Sequence, residues 1–425
     1  MPVKVDDAIL QAAVDAKAQH GTNTAAADAL GIPRSTLNCR LKQAAIKNIT
    51  SAASIVTVPV QNALERECTL LRDRLNVANT KLKQQHREDG LYDALCDEMH
   101  KIIVPLSPLP KAKVADKSKV EHVESLVMHI SDEHADQIVE PHRVGGLETY
   151  NFGVALARAE RFVDKTLSIV RTTLANYSFP ELWILAYGDH VNGEIHDSTN
   201  HSEFRNAYDN SIACGQMHAL MIRDLAPYFP VIKILYLAGN HGRRTKKKDY
   251  HNPRNNWDYL VARTAEMLCI DIPNAEFLIP DSNSYTFGIN GWNFCAFHGD
   301  DIRSWNGIPH YGIERKTRRL TAVHSAQGRQ IHYFVMGHFH SRSSIEHPSG
   351  EILMNGAWKA TDEYAYENLG LTTKPSQLLH GVGKSYGVSF RFPVFLKFDG
   401  DTDGPQRYTA PLQTLGHLQK FPKNG

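Results

Sequence analysis

Five short apolar runs, each closed by a polar cluster, punctuate the middle of the chain. Residues 125–130, 182–187, 232–238, 292–297 and 331–336 have the length and the aliphatic and aromatic content of buried strands. They lead into Asp132-Glu133-His134, Gly188-Asp189-His190, Gly239-Asn240-His241, His298-Gly299-Asp300 and Gly337-His338-Phe339-His340. In an open α/β sheet the loops beyond the strands' carboxyl ends converge on one crevice while the sheet stays rigid. The spacing therefore predicts an α/β domain with one shared site.

The first hundred residues follow a different period. Residues 6–19 read as a helix with Ala, Ile, Leu and Val on one face, stopped by His20-Gly21, and residues 24–30 as a second. Gly31-Ile32 makes a turn before a third helix from Pro33 to Lys42, where the proline presets the first helical φ and Leu37 and Leu41 form an i, i+4 pair. Farther on, Leu64, Cys68, Leu71, Leu75, Ala78 and Leu82 alternate steps of four and three, a heptad seam suited to pairing two chains or to packing one helix on its own domain. Three prolines and four lysines between 104 and 120 read as a linker. The expected organisation is a helix-turn-helix module over 1–50, a helical coiled-coil segment over 58–100, a linker over 101–122, a catalytic domain over 123–400 and a tail over 401–425.

Composition narrows the classes. Lys and Arg number 47 against 46 Asp and Glu, a formal charge of +1, so bulk charge announces no nucleic-acid partner and any such argument depends on where the charges lie. The six cysteines include no C-x-x-C pair, as expected for reduced thiols. The N-terminus lacks the apolar core of a signal peptide, and no stretch reaches the ~20 apolar residues that span a bilayer. These features lead us to expect a soluble cytoplasmic protein.

Imidazole, carboxylate and amide donors without thiolate suit a pair of first-row divalent ions. Manganese is the first expectation, with iron, zinc or magnesium as alternatives. Two adjacent cations bridge and activate one hydroxide and neutralise charge on a phosphoryl group, so phosphoester hydrolysis by attack on phosphorus is the expected use.

The series D-x-H, G-D, G-N-H, H and G-H-x-H, with Leu353-Met-Asn-Gly356 after it, resembles the calcineurin-like metallophosphoesterases from roughly Glu124 to Asn355. The resemblance implies a four-layer αββα sandwich. It implies that Asp132, His134 and His340 hold one metal, that Asn240, His298 and His338 hold the other, and that Asp189 bridges them. His241 would protonate or stabilise the leaving oxygen. Two positions depart from the family: Gly242 stands where an acid commonly orients that imidazole, and Asn192 where an acid is common. Asp301 and Glu194 are the candidate substitutes for the former. A lone histidine among 22 is usually structural, and His129, His190, His196, His201, His310, His324 and His332 are read that way, with His190 and His196 the best candidates for supporting the ligands.

Asn23 to Lys42 resembles the Fis-type helix-turn-helix, which implies that Arg34, Ser35, Asn38 and Arg40 face a DNA groove, with Lys42 and Lys47 near phosphate. A three-helix adaptor that packs on protein is the alternative. Directly after His241 comes a basic run, Arg243, Arg244, Lys246, Lys247 and Lys248, with Arg254 behind it, and Arg315, Lys316, Arg318 and Arg319 follow the His298 motif. Charge runs are usually solvated surface, but beside a metal site they suit sequence-independent phosphate contacts. Trp257, Tyr250, Trp305 and Tyr311 are candidates for stacking on bases, and Trp358-Lys359 for a rim contact.

The expectation is a dinuclear phosphodiesterase acting on nucleic acid, DNA in particular, as a homodimer. In implied use it is similar to DNA repair nucleases of the Mre11/SbcD kind; an ATPase partner follows from that analogy alone. The alternatives are a phosphomonoesterase or a protein or nucleotide phosphatase, and a non-catalytic DNA-binding regulator.

Overall fold

The first helix, α1 (Asp7–His20), begins where the Asp6 carboxylate accepts the Ala8 amide at 3.1 Å, and ends at Gly21, whose φ of +70° is left-handed. Thr22 caps α2 (Asn23–Ala29) through the Ala25 amide, and Pro33 precedes α3 (Arg34–Ile46), which runs one turn beyond its expected end. Ala13, Ala16, Ala26, Ala27 and Leu37 form their common core, with Leu30, Ile32 and Leu41 packed against it. In this computed structural model the described residues are 5–51, 72–77, 79–80, 83, 90, 120–194, 202, 206–303, 309–397 and 407–408. The chain divides into two units, Met1–Val104 and Pro105–Gly425. Of the heptad positions only Leu75 is described; it is helical and 60% exposed. The remaining seam positions and residues 101–119 of the linker lie outside the described residues.

The second unit is built on two sheets. The first has the order β11-β10-β1-β2-β3-β4, in which β1 (His122–Ile130), β2 (Tyr177–Ala186), β3 (Val231–Tyr236) and β4 (Ala275–Leu278) are parallel. On its far side β10 (Ser376–Gly383) and β11 (Gly387–Phe395) add antiparallel. The second has the order β5-β6-β7-β9-β8, with β6 (Trp292–Phe297), β7 (Tyr333–Met336) and β9 (Gly350–Met354) parallel and β5 (Ser284–Ile289) and β8 (Ser343–His347) antiparallel at its edges.

The sheets pack face to face. Val127, Trp183, Leu185 and Leu235 from the first interlock with Ile289, Phe294, Ala296, Val335 and Leu353 from the second in one dry layer. On the outer face of the second sheet, Phe297, Phe334, Met336 and Ile352 receive Ile313 and Leu320 of α7 (His310–Ser325). On the outer face of the first, Tyr236 of β3 meets His218 of α5 (Ala207–Leu225), which packs with α4 (Phe152–Thr172) and α6 (Trp257–Leu268). The layering is α/β/β/α. Arg407 and Tyr408, expected to belong to a tail, are instead held on this unit: Arg407 pairs with Glu160 and Asp164, and the buried Tyr408 donates to Asp224 at 2.8 Å.

Among the described residues, no helix is long and apolar enough to cross a membrane.

Candidate metal centre

The five apolar runs are strands β1, β2, β3, β6 and β7, and the five polar clusters leave their carboxyl ends together. Neighbouring strand ends are tied by main chain: the amide of Asp132 donates to Gly188, that of His134 to Asp189, and that of Gly337 to His298. Such close turns require small residues. Gly188 has a φ of +103°, and a Cβ there would meet the amide of Gly239 at 2.3 Å.

All the expected ligands come together in two overlapping groups. In the first, Asp132, His134 and His340 place donor atoms within 4.8 Å of one another; the second holds Asp189, His298 and His338. Asp189 also lies within the same reach of His134 and His241, so its carboxylate belongs to both sides. Asn240 joins the second group, its Oδ1 3.1 Å from Nε2 of His298. Asp132, His134, Asp189, Asn240 and His298 are buried, whereas His241, His338 and His340 are half-buried at the mouth.

Three features fit this donor set to cations. The first is an unpartnered ring nitrogen: Nδ1 of His134 is buried without a hydrogen-bond partner, while its Nε2 lies 3.2 Å from Nε2 of His340. The second is backbone strain. Asp132, His134, Asp189, His338 and His340 all have φ between 43° and 71°, and among the described non-glycine residues only Asn48 and Asn290 share that region. Each such residue costs of order 1–3 kcal/mol, which the surrounding turns must hold in place. The third is electrostatic. Burial is the largest influence on the His298 ring and lowers its pKa, but the carboxylates of Asp189, 3.0 Å away, Asp132 and Asp300 together outweigh it and raise the value to about 10. Burial holds His340 at about 3 and His338 at about 4, so both rings are neutral donors, and it lifts Asp132 to about 6.

Main-chain groups hold His241 on two sides. Its Nδ1 lies 3.0 Å from the carbonyl of Asn192, and its own amide donates to Asp189 at 2.7 Å. Neither expected substitute does this work: Asp301 is paired with Lys316, and Glu194 is exposed. The glycine at 242 has its own reason. A Cβ there would meet Asn256 Oδ1 at 2.2 Å and Asp258 Cγ at 3.1 Å.

Those two residues carry no signal in the sequence beyond that of a helix cap. Asp258, 2% exposed at the start of α6, accepts the amides of Asp189 and Gly239 on Oδ2 at 3.0 and 2.8 Å and that of His190 on Oδ1 at 3.2 Å. One carboxylate thereby clamps the turns after β2 and β3. Glu133, between two ligands, plays the same part for the first turn: it meets Nδ1 of His190 at 2.5 Å and Nε2 of His218 at 2.8 Å, while Tyr150 donates to its carbonyl. The support expected of His190 is therefore specific, whereas His196 and His201 lie outside the described residues. Asn355 bonds Ser131 and Gln377, and Ser131 donates to Asp132 at 2.6 Å.

The basic positions divide. Lys246 and Lys247 are exposed, as are Arg315, Arg318 and Arg319. Lys248 is paired with Asp300 at 2.6 Å, Arg244 lies over the ring of the buried Trp257, Arg243 bonds the Asn240 carbonyl, and Lys316 pairs with Asp301. Tyr250 and Tyr311 are exposed, and Trp305 lies outside the described residues. Trp358 and Lys359 are not rim residues: both are buried. In the first unit Arg34 and Ser35 are exposed and Arg40 half-buried on α3; Asn38 accepts from Asn23 at 2.8 Å, and Lys47 pairs with Asp7.

No family model and no curated protein matches the chain. Solved structures similar to it include an archaeal phosphodiesterase (10% identity, 63% of this chain and 99% of that chain, TM-score 0.29). Zinc-bound Vps29 of Entamoeba histolytica (12%, 63% and 99%, TM-score 0.27) and a predicted phosphoesterase of Streptococcus pneumoniae TIGR4 (10%, 64% and 98%, TM-score 0.26) are others. Overlaps this low carry no functional argument, which rests on the site.

Proposed function

We propose that this chain is a metal-dependent phosphodiesterase acting on nucleic acid, with DNA as its substrate. The observation that carries the reading is the convergence of seven N and O donors on five strand ends, with the Asp189 carboxylate within reach of His134 on one side and of His298 and His338 on the other. Two divalent ions held there would supply Lewis acidity toward a phosphoryl group and acidify water. Asp132, His134 and His340 would hold one, Asn240, His298 and His338 the other, and Asp189 both. Nδ1 of His241 lies against the Asn192 carbonyl, and its ring would give a proton to the departing oxygen.

Two placements favour a polyanionic substrate. Lys246 and Lys247 are exposed on the segment that leaves His241 directly. The first unit is a three-helix arrangement whose α3 exposes Arg34 and Ser35, the positions a helix-turn-helix presents to a groove. The test compares bis-p-nitrophenyl phosphate, p-nitrophenyl phosphate, and single-stranded, duplex, linear and circular DNA, each with and without manganese. The reading requires manganese-dependent turnover of the diester and of DNA, lost in Asp189→Asn. Preference for the monoester would sink it.

A further inference from the structure

Asp136 has no part in the proposed chemistry, yet its carboxylate reaches the residue that touches His241. It lies in the turn after β1, two residues past His134, and is 1% exposed. Its Oδ1 accepts the amide of Asn192 at 2.7 Å, and its Oδ2 accepts the side-chain amide of Asn210 on α5 at 2.6 Å and the hydroxyl of Ser202 at 2.8 Å. The carbonyl of that same Asn192 lies 3.0 Å from Nδ1 of His241. Asp136 therefore grips the amide side of the residue whose carbonyl side meets the imidazole.

Main chain closes the same path on both sides of Asn192. Before it, the amide of Ala135, the neighbour of Asp136, donates to the carbonyl of His190 at 3.0 Å, so the turns after β1 and β2 are joined. After it, Gly193 has a φ of +67°, and a Cβ there would meet the carbonyl oxygen of His241 at 1.9 Å. Tying Asn210 and Ser202 in place accounts for Oδ2 alone; Oδ1 serves Asn192. A carboxylate held through both oxygens fixes where that acceptor stands, and a site is precise only when the residues behind it are themselves locked. Precision matters here, because a misplacement of about 1 Å in a reacting group costs on the order of a hundredfold in rate.

We propose that Asp136 is a positioning residue for His241, acting through Asn192 to hold the imidazole against the departing oxygen. This rests on the proposed role of His241 as proton donor. The signature of such a role is dependence on the leaving group, because p-nitrophenolate departs with little help whereas the more basic phenolate needs a proton. Full-length protein is assayed with manganese on the p-nitrophenyl and phenyl esters of thymidine 5′-monophosphate, both diesters. Asp136→Ala should lower kcat for the phenyl ester about tenfold more than for the p-nitrophenyl ester, the direction that His241→Ala takes more strongly. Asp136→Asn, which keeps an oxygen for the Asn192 amide, should restore the parental ratio of the two rates to within about threefold. Added to His241→Ala, Asp136→Ala should move that ratio by less than about twofold, since no proton donor is left to position. Equal losses on both esters, full additivity with His241→Ala, or no recovery in Asp136→Asn overturns the proposal, since a merely structural role behaves so. Circular dichroism and urea unfolding identify a variant that fails to fold, and Asp136→Ser, which withdraws the acceptor but leaves a polar group in its place, then replaces Asp136→Ala. A parent protein that turns over neither ester, or a His241→Ala variant with an unchanged ratio, would instead overturn the reading of the metal centre and its proton donor, and this inference with it.

Discussion

Asp189 combines a left-handed backbone, full burial and a carboxylate within reach of ligands on both sides. Burial, the largest influence, pushes that carboxyl up, yet His298, His241 and His134 outweigh it and hold it well below the usual range. That direction favours its charged form, which the proposed shared ligand would need. Replacing it by Asn keeps the shape and removes the charge. Metal content should fall by at least one ion per chain, and turnover of a diester by about a thousandfold or more, the scale of other losses of transition-state charge stabilisation; elemental analysis and kcat measure the two. Gly242 gives the complementary case. Restoring an acid there, as Gly242→Asp, should not improve orientation of His241, because its Cβ would collide with Asn256. It should lower stability by about 1–3 kcal/mol in urea unfolding, the usual cost of overpacking, with lower kcat.

Strands and the turns that follow them were the most legible elements. The apolar runs at 125–130, 182–187, 232–238, 292–297 and 331–336 all became parallel strands, because residues buried on both faces leave a continuous apolar signature. Their ligands were legible for the same reason: each follows the strand within a few residues. What holds the turns was not legible, since Asp258 and Glu133 act on backbone amides and rings brought from 19 to 85 positions away. Nor was the burial of Trp358 and Lys359, which lie on a connection whose course depends on β9 and β10 pairing in different sheets. Asp258→Ala would strand three buried amide donors at about 1–3 kcal/mol each, so we expect several kcal/mol of lost stability together with weaker metal binding. Glu133 predicts an acid limb. Burial, its largest influence, raises the carboxyl, but His218 and His190 outweigh it and bring it from 4.5 to about 2. A depressed folded value means the stabilisation is complete above the unfolded pKa and disappears as pH falls through about 2. Its size is on the order of 3 kcal/mol. Glu133→Gln should flatten the dependence of unfolding free energy on pH between about 5 and 2, and an unchanged slope would remove Glu133 from this role.

At the scale of the molecule, a formal charge of +1 cannot itself draw the protein to a polyanion, so the proposed recognition of DNA would have to come from local groups. The division into two units has separable consequences. Removing Met1–Val104 takes away the three-helix unit and leaves every donor of the metal centre in place. Turnover of bis-p-nitrophenyl phosphate should then stay within about twofold, while affinity for long DNA falls at least tenfold, because on the proposed reading a small diester would need only the donors at the strand ends and DNA would also need the first unit. Neutralising Lys246 and Lys247 to Ala in the full chain removes exposed charge from the segment leaving His241 without touching the Lys248–Asp300 pair. Small-diester kinetics should again hold, but each lost phosphate contact should reduce the slope of log affinity against log salt by about 1. Fluorescence anisotropy at several salt concentrations reads that slope directly. If the slope is unchanged by the double substitution and by the truncation alike, neither unit touches phosphate, and the substrate must be a smaller phosphoester that enters the site alone.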